Sequence, residues 1–311
     1  MKKNLLLMED LSREDIEKII DISMMLKTLH NLGFRKTGYL KNKFFLLLFE
    51  KPSTRTRLSF EVAITQLGGR FSTLNASDTQ LSRGEPIKDF ARVVSRYVDG
   101  IIARVKKHES LEELARYSAV PVINALSDRE HPVQVLADVM TIKEKLGHVS
   151  GVNLAFIGDG QDNVLNSLMI AAGLLGINLY IATPRELWPN ENYLLKAIKL
   201  AELSGGSINI TTNPIEAVKE ADIIYTDVWV SMGREEEADY RRKILRPYQV
   251  NMELLMKSNK KPLVMHCLPA IRGEEITDEV IESPQSIVFD QAENRLHVQK
   301  GLLYYLFSNQ S

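Results

Sequence analysis

KFFLLLFEKPSTRTRLSFEVAITQLGG, residues 43–69, sets a continuous apolar run against a turn rich in hydroxyls and arginines, then an amphipathic stretch closed by two glycines. The run KFFLLLF is too short to read as a helix and suits a strand covered on both faces, the pattern of a parallel sheet. RLSFEVAITQLGG predicts a helix stopped at Gly68 and Gly69. Strand, turn and helix in that order put free backbone N–H groups and the positive helix end beside Ser53, Thr54, Thr56 and the guanidiniums of Arg55 and Arg57. Such a turn suits a phosphate, because arginine matches phosphate oxygens with a planar fork and hydroxyls donate without adding charge. A capped helix start with surface arginines fits the same residues. The stretch lacks the glycine spacing and terminal Lys-Ser/Thr of a Walker A loop, which disfavours a nucleoside triphosphate.

The same alternation extends in both directions. Ser12 and Asp15 make a capping-box start for a first helix ending near Gly33. Strands are expected at 71–75, 100–105 and 121–126, separated by helices that open at Pro86 and at a Ser110–Glu113 capping box. A long helix from Pro132 to Gly147 leads to a second series of strands near 152–157, 178–182, 208–211, 222–227, 263–267 and 286–289. The fold class is therefore α/β with two domains, each an open parallel sheet flanked by helices. Residues 1–135 form the first domain, residues 150–290 the second, and 291–311 a C-terminal helix packing back on the first. The charge-dense SMGREEEADYRRK, 231–243, suits a mobile, solvated loop or the approach to a helix.

Composition narrows the chemistry. The 311 residues carry 39 basic and 40 acidic side chains, and a formal charge of −1 argues against a broad nucleic-acid-binding face. No apolar stretch approaches the roughly 18–20 residues needed to span a bilayer, and the N-terminus turns acidic too early for a signal peptide, so a soluble, cytoplasmic protein is expected. The single cysteine, Cys267, excludes an internal disulfide and a cysteine-rich metal site.

The remaining polar constellations share one placement. Arg104 finishes the apolar strand GIIAR, where an arginine needs a partner or a ligand. His131, just before Pro132, and Gln134 three residues on share a helical face; they serve either as a cap or as donors to a carbonyl oxygen gathering charge. GDGQDN, 158–163, is either a tight βα turn or a weak dinucleotide signal whose third glycine is replaced by Asn163, a residue that could hold the polar ends of an amino acid. Asp227 ends a strand and could receive an ammonium, with Ser231 and Met232 in the loop beyond. Cys267 ends another strand beside His266, and reads as a buried small residue or a ligand-facing thiol. All fall at or just past carboxyl ends of expected strands, the edge at which open parallel sheets bind ligands, and two such edges facing each other would make a cleft.

Together FEKPSTRTR (49–57), HPVQ (131–134), DVWVSMG (227–233) and HCLP (266–269) resemble the transcarbamoylase family over essentially the whole chain, with the last two similar to its ornithine-specific branch. The resemblance implies transfer of the carbamoyl group of carbamoyl phosphate to the δ-amine of L-ornithine, giving L-citrulline and phosphate, with no cofactor and no metal. It implies that Ser53, Thr54, Arg55 and Thr56 bind the phosphate. Arg104, His131, Gln134 and Arg295 would address the carbamoyl end, with Cys267 and the Leu268 carbonyl near the reacting amine, and the catalytic set would be Arg104, His131, Asp227 and Cys267. Asn163, Asp227, Ser231 and Met232 would bind ornithine, and the 231–243 segment would close over it. It also implies a homotrimer, or a multiple of trimers, in which Gln80 reaches a neighbouring subunit's site. Asp162 and Phe90 depart from the family's usual Asn and Thr. A transcarbamoylase for another amine such as putrescine, and a dinucleotide-binding protein, are the alternatives.

Overall fold

Phe44–Phe49 forms β1, and five of its six side chains are buried, which is what an apolar run without polar alternation requires of a central parallel strand. The computed structural model describes residues 3–230 and 234–308. These residues divide into two compact units, Met1–Met140 with Glu293–Ser311, and Thr141–Ala292.

The first unit runs α1 (Arg13–Asn31), β1, α2 (Thr54–Gln66), β2 (Arg70–Asn75), α3 (Ile87–Val94), β3 (Gly100–Arg104), α4 (His108–Tyr117), β4 (Val122–Leu126) and the start of α5 (Pro132–Leu146). Its four strands are ordered β2-β1-β3-β4 and all pair in parallel. The second unit continues with β5 (Asn153–Ile157), α6 (Asn163–Leu175), β6 (Asn178–Ala182), α7 (Glu191–Ser204), β7 (Ser207–Thr211), α8 (Pro214–Val218), β8 (Ile223–Thr226), α9 (Ala238–Leu245), α10 (Met252–Leu255), β9 (Leu263–His266) and α11 (Asp278–Ile281). Its five strands are ordered β7-β6-β5-β8-β9, again all parallel. The last helix, α12 (Val288–Phe307), begins in this unit and ends in the first.

Strand order fixes where each unit presents a crevice. In the first sheet the winding reverses between β1 and β3, and in the second between β5 and β8. Loops leaving two such adjacent strands run apart and open a gap at the carboxyl edge.

Two local expectations are corrected. The Ser110–Glu113 capping box does not form: α4 starts three residues earlier, with Lys107 at the cap position and His108 first in the helix, because Asp128 accepts the His108 N–H at 2.8 Å and supplies the cap from another loop. No strand forms over 286–289, where Ser286 makes only an isolated pairing with Val264 and Val288 already opens α12. Of the two readings of 231–243, the approach to a helix is the one met among its described residues, since α9 begins at Ala238 and Arg241 is 1% exposed. None of the helices among the described residues is long and apolar enough to cross a membrane.

Candidate active site

In the first unit, Ser53 caps α2 with extended backbone and makes no side-chain capping bond, so the turn's hydroxyl is not spent on the helix end. A hollow of about 600 Å³ lies against this turn, lined among others by Lys51, Ser53, Thr54 and Arg57. Arg55 is exposed and Thr56 is buried, and neither lines the hollow. Arg57 is held by Glu61 one turn on, at 2.9 Å.

Behind the turn lies a buried polar chain. Arg295 of α12 donates from Nη2 to Thr56 Oγ1 at 3.1 Å and from Nη1 to Gln134 Oε1 at 2.5 Å. Gln134 in turn donates to Asp138 Oδ1 at 2.8 Å. The fork of one arginine thus fixes the amide of α5 relative to the hydroxyl of α2. His131 is 4% exposed, and burial first, then the charges of Arg295 and Arg104, hold its imidazole well below the ordinary histidine range. It is neutral at physiological pH, and a neutral imidazole can donate a hydrogen bond to an oxygen that gathers negative charge. Arg104 sits where the pairing of β3 with β4 slips by one residue, a shift that re-aims the strand end. The sequence-derived residues Thr56, Arg104, His131, Gln134 and Arg295 are therefore brought together. Gln80 is exposed, opens a short 3₁₀ turn, and does not line the hollow.

The second unit gathers acidic groups at its own switch point. Asp227 follows β8 and is 7% exposed; burial first, then the charge of Asp162, raises its carboxyl well above the ordinary range. The Cys267 thiol donates to it, as does the Val228 N–H at 2.8 Å. Asp162 caps α6 by accepting from Val164 and Leu165 N–H, so an aspartate in place of asparagine keeps the cap and adds charge. Asn163, 8% exposed, is the first residue of α6. Ser231 and Met232 lie outside the described residues.

Two residues to which sequence reasoning gave no role of their own hold the thiol-bearing loop. His266, fully buried, places Nε2 2.9 Å from Glu275 Oε1 and accepts the Leu268 N–H on Nδ1 at 2.9 Å. Glu275 also accepts the Ile271 N–H at 2.6 Å. Leu268 has φ of +56°, a left-handed conformation uncommon for a branched residue, and this bonding holds it there. His266 stood out only as a neighbour of Cys267, and nothing in the spacing of Glu275 marks it. The fold also brings one ligand atom each of Asp227, His266 and Cys267 within 4.8 Å, a grouping the sequence did not reveal. Both imidazole nitrogens of His266 are already committed to Leu268 and Glu275, so this trio is not an open metal site as it stands.

Comparison with known proteins agrees with this division of chemistry. Residues 3–144 match the carbamoyl-phosphate-binding domain, and residues 150–306 the Asp/Orn-binding domain, of aspartate/ornithine carbamoyltransferase. The chain belongs to that family, and is a carbamoyltransferase. Among its relatives, the ornithine carbamoyltransferase of Hyperthermus butylicus is 52% identical over 97% of this chain and 96% of its own. That of Ignicoccus hospitalis is 53% identical, with 98% of each chain covered. The solved ornithine carbamoyltransferase of Pyrococcus furiosus superposes with a TM-score of 0.95 at 51% identity, covering 99% of this chain and 98% of that one.

Proposed function

We propose that the protein transfers the carbamoyl group of carbamoyl phosphate to the δ-amine of L-ornithine, releasing L-citrulline and phosphate. The observation that carries the choice of acceptor is Asp227, a buried carboxyl at the β8 switch point with Asp162 nearby and a thiol donating to it. A site that concentrates carboxylates suits an ammonium-bearing acceptor and opposes a dicarboxylate such as aspartate. The full-length relatives named for ornithine support the same reading.

In this reading Ser53, Thr54, Arg55 and Thr56 hold the phosphate through the free N–H groups and charge of the α2 terminus. Arg104 and His131 donate to the carbonyl oxygen, and Gln134, braced by Arg295, orients the carbamoyl group. The acceptor must present a neutral amine, because an ammonium has no lone pair. As the amine attacks the carbamoyl carbon, charge builds on the carbonyl oxygen; as the carbon–oxygen bond to phosphate breaks, charge passes to the leaving group, which can take the amine proton. Cys267 orients the amine, and Asp227 receives the ammonium at the amino-acid end together with Asn163, Ser231 and Met232. The proposed assembly is a homotrimer in which the exposed Gln80 serves a neighbouring copy.

The test is citrulline formation by the purified protein, with ornithine, putrescine and aspartate offered in turn. Citrulline from ornithine alone is expected. Carbamoylation of putrescine in preference to ornithine, or no product from any acceptor, overturns the assignment.

A further inference from the structure

Arg241 stands in the most charge-dense stretch of the chain, yet its side chain is 1% exposed. Burying a guanidinium is costly unless its donors are met, and here each branch has an acceptor. Nη1 donates to Asp159 Oδ2 at 2.6 Å, Nη2 to Gln161 Oε1 at 3.1 Å, and Nε to Glu237 Oε2 at 2.8 Å. Two of these three acceptors belong to a single feature, the β5–α6 turn. That turn is tight: the Gly160 N–H donates to Thr183 Oγ1 at 3.1 Å, and a Cβ on Gly160 would lie 2.3 Å from the Leu187 carbonyl oxygen. Asp159 Oδ1 accepts the Gln161 N–H at 3.0 Å, and the Asp159 carbonyl accepts the Asp162 N–H at 3.3 Å. The next residue is Asn163, at the head of α6 and on the amine side of the site.

We infer that Arg241 is a positioning residue for ornithine, setting the β5–α6 turn through Asp159 and so the place of Asn163 and Asp162 beside Asp227. The inference rests on the proposed function and extends it to a residue that touches no reacting atom. A surface arginine would serve solubility and leave the turn to its own glycines. The buried fork instead makes α9 the support against which the turn is registered, and small errors of placement at such a site are expensive in rate and binding.

The experiment compares Arg241→Lys, Arg241→Gln, Asp159→Asn and the Arg241→Gln/Asp159→Asn double variant with the unaltered protein. Melting is followed by circular dichroism, and KM for each substrate and kcat are measured separately. Expected for the glutamine and asparagine variants is an ornithine KM raised on the order of tenfold or more. KM for carbamoyl phosphate should stay within about twofold, the lysine variant should be intermediate, and the double variant should be no worse than the worse single one. A merely structural role would lower the melting temperature and the amount of active protein without moving one KM alone. Ornithine KM unchanged in folded Arg241→Lys and Asp159→Asn protein, or both KM values raised alike, overturns the inference while the proposed function stands. No citrulline from the unaltered protein removes both.

Discussion

Leu268 donates its backbone N–H to Nδ1 of His266 at 2.9 Å, and that bond decides where the imidazole proton lies. With Nδ1 accepting, the ring proton is on Nε2, facing Glu275 at 2.9 Å. A carboxylate nine residues along the chain thus holds the ring that holds the backbone on which Cys267 is mounted.

Glu275→Ala should therefore destabilise the protein by about 3 kcal/mol, since it strands a buried ring N–H and the Ile271 amide together. Urea unfolding checks this. Ornithine use should fall while the affinity for carbamoyl phosphate is retained, and a stability within about 0.5 kcal/mol of the unaltered protein would contradict the bracing role.

Arg295→Lys tests the first unit. A single ammonium cannot reproduce the fork that reaches both Gln134 and Thr56. The expected outcome in steady-state kinetics is a loss of roughly 10- to 100-fold in kcat/KM for carbamoyl phosphate with the fold intact. Arg55→Ala should cripple use of the same substrate, and an unchanged rate would remove Arg55 from the phosphate site.

Asp227→Asn keeps shape and discards charge. Loss of a charge-assisted contact to a substrate ammonium predicts an ornithine KM higher by on the order of 100-fold, with little change for carbamoyl phosphate. Calorimetric titration of each ligand separates the two, and equal damage to both would make Asp227 a structural residue.

The pH dependence of stability should carry the mark of His297. Burial first, then the charges of Lys300, Lys27 and His30, lowers its pKa from 6.5 to about 3, with Glu293 Oε1 at 3.2 Å as its carboxylate neighbour. Lys300 is lowered by burial to about 8 and donates to Gln66 Oε1 at 2.9 Å. The unfolded chain binds the His297 proton first, so this residue's contribution is complete above about pH 6.5 and drains away as pH falls towards 3. Lys300 acts with the same sign at the other end: the penalty of its buried charge is lifted as pH rises from about 8 to 10.5, and stability climbs there. Melting temperatures across pH should show His297→Phe with a flatter acid limb, and an acid limb identical to that of the unaltered protein would refute the assignment.

Much of the architecture could be read without coordinates because its cause is local. The apolar run of β1, the glycine stop after α2 and the hydroxyl-rich turn between them all act within a few residues, and the structure follows them. What escaped the sequence depends on partners far along the chain. Asp128 caps α4 from another loop, and the Ser110 box goes unused. Arg241 lies among acids and bases that look solvated, and only the arrival of Asp159 and Gln161 makes its burial tolerable. Glu275 sits in an unremarkable acidic pair until the fold carries it under His266. The hydroxyl-rich turn before α2 was legible because a helix terminus announces itself, whereas the supports of the Cys267 loop and of the β5–α6 turn are tertiary and have no motif.

The reversal of winding between β5 and β8 has a bearing on how acceptor preference could be changed. Asn163 opens α6 and Asp227 follows β8 at that reversal, and Cys267 follows the neighbouring β9, while the five strands beneath keep their pairing whatever those connections contain. Under the proposed function, selectivity is redrafted by exchanging the short connections that carry these residues, leaving the load of folding on the strands beneath.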